Sequence, residues 1–285
     1  MDHRAVPRPA EPLAGPAEPL AGLAERLADL VATAPGHVSV VVADRTGVLV
    51  DVGGSRVVPA ASTVKVPVLV AVLRQVARGE VGLGDCLQLE ERRVGGSGPL
   101  AALASVTRLP VGELLDLMIT LSDNDATNAL LDLVGLCVVD RLCPELGMVR
   151  TSVRRRLMDL EAVREGRDNT TCAADLARVL VLLREGQLLP PAETTLALDV
   201  LAAQQFVDGL PALLPEGVWH ANKTGELHGV RHDMMLVEDG GGWASVAVTA
   251  TALADDVTGA DRGALVLPTF ARIGELVASR LHDAS

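Results

Sequence analysis

The sequence predicts an α+β fold, with one antiparallel sheet flanked by terminal helices and an all-helical lobe set between its strands. Three observations lead there. Runs rich in Val and other strand formers lie near both ends, at 37–43 and 48–52 on one side and at 218–223, 229–237 and 244–251 on the other. The stretch between them carries apolar residues at helical spacing. Strands separated by a helical middle bury their apolar faces best by pairing with one another, which brings the two chain ends together and leaves a cleft beside the helical part. The expected organisation is a Pro/Ala-rich extension at 1–19, an α/β lobe from 20–60 and 215–285, and a mainly helical lobe at 61–214.

Each element has a local signature. Leu23, Leu27, Leu30 and Val31 share one face of a helix over 20–34, which Gly36 ends. Asp44-Arg45-Thr46-Gly47 is the turn of the first hairpin. An apolar helix is expected over 62–78, with Pro67 near its start, where a missing N–H does little harm. ERRVGGSGP at 91–99 reads as a loop, and helices follow at 111–119 and 125–133. Residues 151–170 are charged and irregular. A helix over 173–185 is expected to be capped near Thr171 and stopped by Gly186. One or two helices fill 190–216, Gly240-Gly241-Gly242 turns the last hairpin, and a final helix covers 265–281.

Composition narrows the function. The 285 residues carry a formal charge of −12, which argues against nucleic acid and anionic membrane surfaces as partners. The core must be aliphatic, since Phe206, Trp219, Trp243 and Phe270 are the only aromatic residues and Tyr is absent. Cys86, Cys137, Cys143 and Cys172 form no C-x-x-C pair and have no His at ligand spacing, so they are read as buried free thiols, with a disulfide as the alternative, and neither a metal nor another cofactor is expected. No apolar signal segment interrupts the Pro-rich start, where AEPLAG occurs twice, and no apolar stretch has membrane-spanning length, so a cytoplasmic address is expected. The expected partner is a small molecule with a reactive carbonyl.

Three short motifs carry chemistry: Ser62-Thr63-Val64-Lys65 before an apolar helix, Ser122-Asp123-Asn124 between two helices, and Lys223-Thr224-Gly225 at the end of a strand. A serine hydroxyl is a weak nucleophile and needs a proton acceptor. Residues i and i+3 of a helix share a face, so Lys65 can reach Ser62. Burial and a second cation, Lys223, would both depress the Lys65 pKa. Ser122 and Asn124 can hydrogen-bond the lysines and orient them. Asp123 is read as a turn former, and Thr127 and Asn128 as helix-surface or packing residues.

Taken in order, S-x-x-K, S-D-N and K-T-G resemble the signature of class A β-lactamases and penicillin-binding proteins. VGELLDLMITLSDNDATNALLDLVG at 111–135 and KTGELHGVRHD at 223–233 extend the resemblance, which spans 20–282. It implies a β-lactamase/transpeptidase-like fold and a serine hydrolase working through an acyl-Ser62 ester, on a β-lactam or a related amide or ester. Lys65 would take the Ser62 proton and Ser122 would relay one to the leaving group. The backbone N–H groups of Ser62 and Glu226 would form the oxyanion hole, and Lys223 with Thr224 would hold a substrate carboxylate. Arg231 either assists there or forms a surface ion pair with Asp233 or Glu238. Class C-type enzymes use a Tyr base, which this chain lacks.

The chain departs from the pattern in three places. The Glu-x-x-Leu-Asn that activates water in class A enzymes is missing from TSVRRRLMDLEAVREGRDNTT at 151–171, where Arg154-Arg155-Arg156 occurs instead. Asp159 and Glu161 are the nearest carboxylates to replace that Glu, and neutralising the three arginines is the reading favoured for them. Glu226 stands where the family usually has a small residue, and no ring lines 95–100. Two alternatives therefore stay open: a β-lactam-sensing protein that acylates but barely deacylates, and an acyl transferase or esterase of specialised metabolism.

Overall fold

The computed structural model describes residues 18–253 and 262–283. Most of the extension expected at 1–19 lies outside the described residues, and Glu18 already opens the first helix. In chain order, α1 (Glu18–Thr33), β1 (His37–Asp44), β2 (Gly47–Val52) and β3 (Val58–Pro59) lead to a 3₁₀ turn at Ala61–Val64 and then to α2 (Lys65–Ala77). There follow β4 (Cys86–Gln88), β5 (Arg108–Pro110), α3 (Val111–Thr120), α4 (Asn124–Val134), α5 (Leu136–Leu142), α6 (Leu160–Arg164) and β6 (Thr170–Thr171). The chain closes with α7 (Ala173–Arg184), α8 (Pro191–Ala202), β7 (Trp219–Leu227), β8 (Val230–Asp239), β9 (Gly242–Thr251), α9 (Arg262–Leu265) and α10 (Leu267–Asp283).

The sheet has the order β2-β1-β9-β8-β7, with every neighbour antiparallel. The pairing of β1 with β9 joins the two ends of the chain, as the hydrophobic pattern predicts. Asp44 holds the first hairpin turn by accepting from Thr46 N at 2.7 Å and Thr46 Oγ1 at 2.6 Å.

Both faces of this sheet are covered, which is why its strands read as nearly continuous apolar runs rather than alternating ones. Val38, Val40 and Val42 of β1 pack with Leu27 of α1 and Phe270 of α10, whereas Val41 and Ala43 point into the opposite cluster with Leu176 and Leu180 of α7. Fully burying each such side chain is worth about 1.5–3 kcal/mol. Ser245 of β9 donates to Ala177 O at 3.0 Å, so α7, though within 61–214, seats directly on the sheet.

Some local expectations are corrected. K-T-G lies within β7, not at a strand end, because the β7–β8 ladder continues to Leu227↔Val230 before a tight His228-Gly229 turn. Helix α7 carries no side-chain cap; Thr171 instead pairs in β6 and hydrogen-bonds Thr151 at 2.9 Å. The short strands β3, β4, β5 and β6 and the helices α5 and α6 are too brief for periodicity to reveal. All four cysteines are free, but Cys86 and Cys137 are exposed, so burial holds only for Cys143 and Cys172. No described helix is long and apolar enough to cross a membrane.

Candidate active site

The opening of the 62–78 segment differs from the regular helix expected. Ser62 belongs to a single 3₁₀ turn, and the α-helix begins at Lys65. Side chains three apart nearly eclipse in a 3₁₀ turn, and Lys65 Nζ accordingly lies 3.1 Å from Ser62 Oγ. Neither the turn nor α2 has a side-chain cap, so Ser62 does not serve as one. Ala61, just before it, has a φ of +49°, a strained value for a residue with a Cβ.

The second motif meets Lys65 from the helical side. Asp123 caps α4, one carboxylate oxygen accepting from Ala126 N at 2.8 Å and the other from Leu100 N at 2.9 Å. That fixes the bend in which Ser122 adopts a φ of +53°. The left-handed conformation turns both Ser122 oxygens toward the same ammonium: Lys65 Nζ is 2.6 Å from Ser122 O and 2.9 Å from Ser122 Oγ. Gly98 makes room for the bend, since a Cβ there would lie 2.3 Å from the Asp123 Cα. Asn124 is engaged at both ends, accepting from Lys65 at 3.0 Å and donating to Gly95 O at 2.8 Å. It therefore tethers the 91–99 loop to the lysine.

Strand β7 supplies the third motif. Lys223 is fully buried, with Nζ 3.2 Å from Ser122 Oγ and 2.9 Å from Thr224 O. The Ser122 hydroxyl thus bridges both lysines. Gly225 lies so close to the nucleophile turn that an added Cβ would sit 3.3 Å from Ser62 N. Ser62, Ser122, Thr224, Glu226 and Arg231 line one cleft of about 400 Å³.

Burial, followed by the charge of Lys223, pushes the Lys65 pKa well below the ordinary lysine range, with Asp123 opposing. Burial lowers Lys223 to about 7, opposed by Asp233. Burial in turn raises the Asp233 carboxyl to about 6, against the hydrogen bonds from Leu210 N–H and Asn222. Ser122 O and Asn124 Oδ1 can only accept, so two Lys65 N–H groups donate to them, and the rest of the nitrogen faces the Ser62 and Ser122 hydroxyls, either of which can exchange a proton with it.

The segment expected to carry a water-activating acid is a closed loop. Arg155 pairs with Asp168 at 2.8 Å across its base. Asn169 Oδ1 accepts from Arg154 N at 2.8 Å and Arg155 N at 3.0 Å, and Asn169 O accepts from Ala60 N at 2.8 Å, just before the nucleophile turn. Asn128 is not a helix-surface residue. Its buried amide accepts from Leu157 N at 2.8 Å and donates to Leu157 O at 3.2 Å. Leu157 and Met158 line a smaller cavity together with Ser62 and Asn124.

Asp159 and Glu161 lie elsewhere. Asp159 is exposed and caps α6 through Ala162 N at 3.0 Å, Glu161 is exposed as well, and neither lines the cleft or the cavity beside it. Neither hydrogen-bonds the arginines: Arg155 has Asp168, while Arg156 donates to Glu90 at 2.8 Å and forms an ion pair with Asp132 at 3.1 Å, with Asp159 adding a weaker charge attraction. Arg231 pairs with neither acid expected for it. Asp233 is buried below Lys223, Glu238 pairs with Arg184 at 2.8 Å, and Arg231 instead holds Asp208 at 3.1 Å together with Glu226. The roles of Asn128, Asp168 and Asn169 were missed because Asn128 and Asn169 bind backbone 14 or more residues away and Asp168 pairs with the Arg155 side chain, none with a spacing signature.

The chain that carries this arrangement is similar to known proteins over most of its length. Residues 22–280 match the model of the beta-lactamase enzyme family. The chain belongs to that family. Among solved structures, this beta-lactamase family member is similar to PBP-A, at 27% identity and a TM-score of 0.80 over 94% of this chain and 99% of that one. It is also similar to a beta-lactamase from Sphaerobacter thermophilus, at 32% identity and a TM-score of 0.78 over 89% and 95% of the two chains. A single-residue variant of PBP-A has been solved as an acyl-enzyme with penicillin G. A curated relative, the beta-lactamase regulatory protein BlaB of Streptomyces cacaoi, is 25% identical over 265 residues, covering 76% of this chain and 85% of the relative.

Proposed function

We propose that this beta-lactamase family member forms an ester between Ser62 and the carbonyl of a β-lactam or related amide, and releases it slowly. The observation that carries this is the 3.1 Å approach of Lys65 Nζ to Ser62 Oγ within a buried network whose desolvation, with the charge of Lys223, lowers the lysine's pKa. Ser62 Oγ attacks the carbonyl carbon while Lys65 takes its proton. The oxyanion forms against the N–H groups of Ser62 and Glu226. The C–N bond then breaks, the leaving nitrogen takes a proton through Ser122, and Lys223 with Thr224 holds the substrate carboxylate.

Slow release follows from the other side of the ester. Hydrolysis needs a base for water, and the side chains that border Ser62 from the 151–169 loop are Arg155, Leu157, Met158, Leu160 and Asn169, none of them a carboxylate, while Glu226, the carboxylate that also lines this cavity, is paired with Arg231. The existence of a regulatory relative supports the same reading.

An intact-mass time course with a penicillin tests it. The native protein is expected to gain the mass of the whole penicillin and keep it long after free ligand is removed, whereas Ser62→Ala gains none. Substrate loss without adduct would point instead to an efficient hydrolase. Adduct that clears only when an amine is supplied would point to an acyl transferase.

The pH dependence has a definite sign. Lys223 titrates at about 7, so the free protein should lose affinity for a carboxylate-bearing ligand as pH rises through that value. Lys65 must be neutral to accept a proton, so acylation should fall on the acid side, below its depressed pKa. Second-order acylation rates measured across pH should show both limbs for a penicillin and only the acid limb for a neutral ester.

A further inference from the structure

The geometry points to Glu226 as an internal competitor for the substrate carboxylate, a specificity-determining residue that disfavours lone anions. This inference rests on the acyl-Ser62 reading above. It begins with the hairpin. The two-residue His228-Gly229 turn pairs Leu227 with Val230 and so sets Glu226 directly opposite Arg231. Opposite charges placed across antiparallel strands attract, and the Glu226 carboxylate contacts the Arg231 guanidinium. Asp208 takes the same guanidinium from the other side at 3.1 Å.

The two partners of the pair differ in freedom. The Arg231 side chain is 14% exposed and lines the cleft beside Ser62, whereas that of Glu226 is 68% exposed. Arg231 is therefore held in place, while Glu226 can swing into water. A guanidinium forks onto a single carboxylate, and this one already has two. Apart from His228, the charged side chains lining the cleft are Arg231 and Glu226, which cancel. That leaves the buried Lys223, whose pKa burial lowers to about 7, as the main attraction for an incoming anion. A monoanionic substrate must displace Glu226 or bind without Arg231; a neutral ester of the same acid meets no such competition. Selectivity set by a repulsive element is a common device.

Second-order acylation of Ser62 should be measured by intact mass with a penicillin and with its neutral methyl ester, on the native protein, Glu226→Gln and Asp208→Asn. An exposed pair contributes up to about 1 kcal/mol, so Glu226→Gln should speed the anion by about fivefold. The basal control is Asp208→Asn, outside the oxyanion hole and the cleft lining, whose ester rate should stay within about twofold because a neutral ester gains no charge partner. Asp208→Asn should move the anion in the same direction. An anion-to-ester ratio unmoved by Glu226→Gln overturns the inference, as does an equal change in both rates, which would mean a displaced β7 rather than a charge effect. If the native protein is labelled by neither compound, the acyl-Ser62 reading itself fails and this inference with it.

Discussion

Lys65→Met is expected to lower the rate of Ser62 acylation by roughly 10²–10⁴, the range for removing a positioned general base. Methionine matches the lysine stem in length but offers no lone pair to the Ser62 hydroxyl 3.1 Å away. Stability should fall too. Ser122 O and Asn124 Oδ1, which accept from Lys65 at 2.6 and 3.0 Å, would be left buried without that donor. Each such orphan costs about 1–3 kcal/mol, reduced here because an amine no longer has to be desolvated. Stopped-flow acylation and denaturant melts of the same variant separate the two effects. An acylation rate within a few-fold of the native protein would rule out Lys65 as the base.

Leu157→Glu should have the opposite character, speeding loss of the adduct rather than its formation. Leu157 borders the same cavity as Ser62 and Asn124, and Asn128 pins its backbone at both N–H and C=O. The loop carrying it is closed by Arg155 and Asp168. A glutamate there would stand on a fixed backbone within reach of water bound beside the ester. Deacylation should rise by roughly 10²–10⁴ if the new carboxylate acts as a general base. Since Leu157 is 8% exposed, the carboxylate would be partly desolvated, with a raised pKa and some loss of stability. Turnover should therefore increase with pH as the group ionises. An adduct lifetime unchanged at all pH values would show that something other than a missing base holds the ester.

Much of the site can be read from residue types in order. Ser62, Lys65, Ser122, Lys223 and Thr224 all border or build one cluster, and Asn124 is tied to it. The motifs are recognisable because their spacing is local: three residues bring Ser62 to Lys65, and a bend of three residues presents Ser122 and Asn124 together. As water activators Asp159 and Glu161 failed, because proximity along the loop says nothing of direction, although the charge of Asp159 does act on Arg156. Asp159 was taken up by the nearest helix terminus, which lies away from the cleft.

The sequence by itself determined the order of the main strands and helices, the turns of the first and last hairpins and the side chains able to do acyl chemistry, since each depends on periodicity, turn residues or short spacing. The Glu226–Arg231 pairing is of that kind in principle, needing only the register of one tight hairpin. Tertiary structure alone decided which of these groups are charged and which face the reacting carbonyl. The depressed pKa values of Lys65 and Lys223 come from desolvation by elements drawn from both ends of the chain and its middle. The apolar wall at Leu157 comes from a loop held by Asn128, Asp168 and Asn169. Burial and orientation arise from packing among distant segments, and no window of sequence contains them.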